Sequence, residues 1–192
     1  MATMASRETL GTTERADALV FPISASRGQL VTALVAGFVA THIATVSGYW
    51  FHGVNLPDLG WPNFNGILLL GTKASPLSQF WAGAVFHFLT GMCFALLYAF
   101  IVHPRLRRFP NTMRGNMTKA LLFAMVLATL SAIWWVPQLF NSEFGYNFGW
   151  FSQNLGKFLS VPAWKAVFGI YLWHIIFGIN LGLIYNPHTA EI

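Results

Sequence analysis

Four long apolar stretches, separated by polar connections, dominate the chain. They run approximately over 30–50, 80–102, 120–140 and 163–185. Each has about the 20 residues that a helix needs to cross a hydrocarbon core. The pattern predicts an all-α integral membrane protein with four transmembrane helices. Residues 1–27 are polar and carry charges of both signs. Their first apolar run starts too late for a signal peptide, so they are expected to form a cytoplasmic tail.

The second and fourth stretches share a pattern. His87 is followed by Gly91, Ala95 and Tyr98, and His174 by Gly178, Gly182 and Tyr185. These spacings put each set on one face of a helix. Small residues on such a face allow close helix approach, so Gly91, Gly178, Gly182, Tyr98 and Tyr185 are predicted packing positions. In the first stretch Ala33, Gly37, Thr41 and Thr45 form a similar stripe, with His42 beside it.

The two histidines lie 87 positions apart, and Gly37–Thr41 aligns with Met125–Thr129 at an offset of 88. The alignment predicts a tandem duplication of a two-helix hairpin, with units at 28–110 and 111–192. Both copies then share one orientation, and their pseudo-twofold axis lies along the membrane normal. His42 has Leu130 as its counterpart, so the halves are not equivalent.

The connections set the topology. Arg105, Arg107, Arg108, Arg114 and Lys119 fall between the second and third spans with no acid among them. By the positive-inside rule this segment faces the cytoplasm, with both termini on the same side of an inner membrane. The other two connections are rich in aromatic residues, Pro and Gly. They are expected to hold interfacial segments, including a short element at Gly66–Gly71 on or dipping into the bilayer.

Composition sharpens this picture. Charged residues make up 9% of the chain and apolar residues 55%, against about 25% charged in soluble domains. The net charge of +5 gathers beside the spans rather than on a basic face, which favours membrane orientation over nucleic acid. A single Cys93 excludes a disulfide framework.

The repeated His-x-x-x-Gly-x-x-x-small-x-x-Tyr motif resembles a pattern in small, uncharacterised bacterial and archaeal membrane proteins. That resemblance implies a four-helix fold and no particular activity. Candidate chemistry rests on His42, His87 and His174, which depth arithmetic places in one layer of the membrane. Ionisable residues in spans are functional candidates by default. Bis-histidine ligation of haem b, or ligation of a (bacterio)chlorophyll, is one reading. The other is structural, with each ring bonded to a carbonyl or hydroxyl and no cofactor bound. No acid occurs in any span and no catalytic motif is present, so no enzyme activity or metal site is expected. The expected role is a non-catalytic accessory subunit of a larger membrane complex of the energy-converting or oxidoreductase kind. Its partners would be other membrane subunits, in a homo- or hetero-oligomer, and lipids. A cytochrome-b-like or pigment-binding subunit is the alternative, and a small carrier or channel the third reading.

Overall fold

The computed structural model describes residues 27–136 and 163–185, and all regular structure among them is helical. The helices are α1 (Arg27–Tyr49), α2 (Trp61–Leu70), α3 (Pro76–Leu97), α4 (Met113–Leu130) and α5 (Ala163–Ile184). α3 continues through a π turn at Tyr98–Val102 and a helical turn at His103–Arg105, while α4 runs into a π turn at Ser131–Trp135. Four segments are long and apolar enough to cross a membrane: Arg27–Tyr49, Pro76–Arg105, Met113–Trp135 and Trp164–Ile184. The tail before Arg27 and the aromatic connection at 141–162 lie outside the described residues.

The first π turn has a local cause: Pro104 follows it by two residues. A proline inside a helix offers no N–H to the carbonyl four residues earlier and its ring crowds that carbonyl. Widening the preceding turn relieves the clash without ending the helix.

α1 is built inside out. Its buried face is small, with Ala33, Ala36, Gly37, Ala40, Thr41, Ala44, Thr45 and Gly48, while Val31, Val35, Phe38 and Val46 point outward. In lipid there is no hydrophobic drive to bury large side chains, so close backbone approach and dispersion hold the helices together. α1 lies against α3 and α5, and α5 lies against α4. α4 reaches α3 at the Arg-rich end, through the Tyr98–Val102 turn.

Two connections differ from the sequence expectation. The basic segment is not all loop: Thr112 accepts the Gly115 N–H and caps α4, which begins at Met113. Arg114 and Lys119 therefore sit on the helix. Lys119 is 1% exposed; it donates to Asn111 Oδ1 at 2.7 Å and lies 3.4 Å from His103 Nε2. The short element near Gly66 begins earlier, at Trp61. Pro62, in its first turn, suits a helix start. α2 then runs antiparallel to α3 at backbone contact, with Gly66 against the Gln79 carbonyl and Gly83 against the Pro62 carbonyl. α3 with its extension covers 30 residues, about 45 Å at the helical rise. That exceeds a hydrocarbon core of about 30 Å.

The Arg-rich end is closed by one asparagine. Tyr98 OH donates to Asn116 Oδ1 at 2.6 Å, and Asn116 Nδ2 donates to the carbonyls of Gly182 at 2.8 Å and Tyr185 at 2.6 Å. The Tyr98 and Tyr185 rings meet edge-on at 5.7 Å. Three helices are tied at one point.

Candidate functional site

Between α3 and α4, away from that knot, the helices part around a chamber of about 400 Å³. Its walls are Phe86, Thr90, Gly91 and Phe94 from α3, and Leu127, Leu130, Ser131, Trp134 and Trp135 from α4 and its π turn. α1 contributes Thr41, α2 contributes Trp61 and Asn65, and α5 contributes Trp173, His174 and Phe177. The lining is overwhelmingly aromatic and aliphatic, with a few polar groups, as small-molecule sites usually are. π turns are over-represented at functional sites, and here Ser131, Trp134 and Trp135 of one line the chamber.

His87 is wired into the scaffold. Asn65 Nδ2 lies 3.5 Å from its Nδ1, and Thr45 Oγ1 lies 2.9 Å from its Nε2. Thr45 Oγ1 also donates to the Thr41 carbonyl at 2.7 Å. The directions are therefore fixed: the amide donates to Nδ1, Nε2–H donates to the Thr45 oxygen, and the hydroxyl donates onward. Both ring nitrogens are used.

His174 differs. Its Nδ1 lies 2.8 Å from the Ile170 carbonyl, four residues earlier on α5. A carbonyl oxygen only accepts, so Nδ1 carries the proton and Nε2 of the neutral ring is an acceptor. Nε2 makes no hydrogen bond among the described residues, yet it is not among their occluded unpartnered atoms. The side chain is 8% exposed and lines the chamber. Among the described residues, His174 borders the chamber on the side away from the Ile170 carbonyl.

The Trp173 indole touches both histidines, with centroids 5.5 Å from His87 and 5.0 Å from His174. His42 does not share their direction. It is exposed on the outer face of α1, stacked beside Phe38 at 6.4 Å and Phe88 at 5.9 Å. So two of the three candidate histidines meet at one chamber, and the third faces away.

The predicted packing positions lie where helices touch. Gly91 receives the Thr41 hydroxyl, and an added Cβ at Gly37 would stand 2.6 Å from Ala95 Cβ. At Gly178 it would stand 2.6 Å from Ala124 Cβ, and at Gly182 2.6 Å from Met117 Cα. Sequence reasoning missed Trp61, Asn65, Thr45 and Trp173 as parts of the site. Asn65 beside Gly66, buried in a short apolar run, was the available signal for α2. No family model, curated protein or solved structure matches this chain.

Proposed function

We propose that the chain is a non-catalytic membrane subunit that holds a lipid-soluble small molecule in the chamber between α3 and α4. The observation that carries this reading is His174, a buried acceptor turned toward a largely apolar space inside the bundle. An unpartnered polar atom at membrane depth is costly, and a bound molecule removes that cost. Binding is favoured over turnover because, among the described residues, no carboxylate lines the chamber to orient either histidine for proton transfer.

Membership of a larger assembly is supported from the other side of the bundle. His42 presents a polar ring on the lipid-facing surface of α1, where a neighbouring helix with a hydrogen-bonding group would cover it. The positive-inside rule favours an inner-membrane topology with Leu106–Thr112 and both termini cytoplasmic. The tandem duplication rests on the offsets of 87 between His87 and His174 and 88 between Gly37–Thr41 and Met125–Thr129.

A second reading has its own support. A metal-ligating histidine typically donates its other N–H to a carbonyl or carboxylate, as His174 does to Ile170. A haem or chlorin held by His174 alone fits that bond. The bis-histidine form would first have to break His87 away from Thr45 and Asn65.

Mass spectrometry of organic extracts from the purified protein tests the main proposal. One lipophilic species near stoichiometric amount is expected, and Thr90→Phe, which fills the chamber, should lose it. Identical extracts from both proteins would overturn the proposal. A visible absorbance band that disappears in His174→Gln would establish the second reading instead.

A further inference from the structure

We infer that the chamber selects the reduced, hydroxyl-bearing form of a lipid-soluble aromatic ring: a hydroquinone or a closely related phenol. The inference rests on the chamber being a ligand site and adds the chemistry of its occupant.

The first step is the tautomer. With Nδ1–H committed to the Ile170 carbonyl at 2.8 Å, the Nε2 of the neutral ring accepts and does not donate. A hydroxyl can donate to it. A quinone carbonyl cannot, because two acceptors facing each other leave both unsatisfied. The same ring in its two redox states therefore meets His174 differently.

The second step is the wall. Phe86, Phe94, Trp135 and Phe177 line the space, and aromatic faces and edges suit a flat ring in offset or edge-on contact. Among the described residues, no Lys, Arg, Asp or Glu lines the chamber. A charged ligand would find no counter-charge, and the acidic arms of a haem would find no cation. The occupant is neutral. A volume of about 400 Å³ falls within the range of about 300–1,000 Å³ for small-molecule pockets.

The third step is access. Leu130 and Trp134 line the chamber and are also 49% and 59% exposed on the outside of the bundle. The chamber thus borders the lipid-facing surface between α3 and α4. A ring entering from the bilayer leaves its aliphatic tail among lipid chains beside these two residues, so only the headgroup has to fit.

The test compares one molecule in two redox states. The full-length protein in lipid nanodiscs is titrated anaerobically with decylubiquinol and with decylubiquinone by calorimetry, with empty nanodiscs as baseline. Losing one hydrogen bond to a buried acceptor corresponds to about tenfold in affinity, so the quinol should bind about tenfold tighter. In His174→Gln the side-chain amide can donate as well as accept, and the ratio should fall towards one while both forms still bind. A merely structural histidine would change both affinities together and leave the ratio alone.

Equal binding of both forms by the unaltered protein, or tighter binding of the quinone, overturns the inference and leaves the chamber reading intact. So does failure of both forms while a different lipophile is extracted and is lost in Thr90→Phe. If extraction finds nothing that Thr90→Phe removes and neither form binds, the chamber reading falls, and this inference with it.

Discussion

The backbone contact between α2 and α3 makes Gly83→Ala the most informative single change in the fold. An ideal Cβ at Gly83 would lie on the Pro62 carbonyl oxygen and against the Gly66 nitrogen, where ordinary contact begins at 3.4 Å. Neither obstacle is the tip of a flexible side chain. α2 must withdraw by more than about 1 Å, or α3 must bend. Overpacking by side chains costs about 1–3 kcal/mol, and a backbone obstacle belongs at the upper end. For a chain of this size about 3 kcal/mol lowers Tm by roughly 6–12 °C. The same retreat pulls Asn65 away from His87, a bond already 3.5 Å long. Gly169→Ala is the control, since its nearest neighbour beyond the helix is 3.6 Å away. It should hold Tm or raise it slightly, because Ala is the better helix former by up to about 1 kcal/mol. Near-UV circular dichroism during heating in detergent reads both. Equal melting of the two variants would mean that α2 is not seated against α3 in this way.

Three other outcomes follow from the same geometry. In a Cys93→Ser background, cysteine at Gly53 should react with an impermeant thiol reagent in intact cells and cysteine at Arg108 should not; the reverse would invert the topology. His42→Leu should change the Tm of the isolated chain by less than about 1 °C, as surface substitutions do. The same variant should run free of its assembly on native gels, and an unchanged assembly would remove the support drawn from this residue. Thr45→Val strands the His87 N–H in a buried site, at a cost of about 1–3 kcal/mol. A denaturation midpoint equal to that of the unaltered protein would show that the bond contributes nothing.

The spans were legible because long apolar runs with so few charges have little alternative to crossing a membrane, and the stripe spacing located their packing faces. His87, Gly91, Ala95 and Tyr98 are all buried, as are His174, Gly178, Gly182 and Tyr185. Direction was lost at His42. It follows Thr41 by one residue, about 100° around the helix, so the stripe that buries Thr41 and Thr45 turns His42 outward. α2 was not legible as a packed helix because its seat is created by two glycines 17 residues apart, Gly66 and Gly83, that meet only in the fold. The start of α4 was hidden by charge: Arg114 and Lys119 read as loop. The chamber owes its wall to a π turn, which no hydrophobic pattern announces.

The unequal fates of the two histidines follow from register. On the first hairpin, Gly91 lies against Thr41, and four residues along each helix His87 meets Thr45. On the second, Gly178 lies against Ala124, and the same step leads to His174 opposite Ala128. Ala128 is buried and has no hydroxyl to offer. Thr129, next along α4, is turned outward and bonds Tyr171 at 2.9 Å instead. Asn65 has no counterpart in α4 or α5, since it arrives on α2. One copy of the motif thus spends its imidazole on the scaffold, and the other leaves Nε2 without a hydrogen bond among the described residues. Ala128→Thr should equalise them by bringing a hydroxyl to His174 Nε2. Its added bulk costs about 1–3 kcal/mol in either case, so Ala128→Val, equal in shape, isolates the hydroxyl. The Thr variant should bind decylubiquinol about tenfold more weakly than the Val variant, with decylubiquinone unaffected by the difference. Equal quinol binding by two folded variants would show that His174 is not the group that receives the ligand.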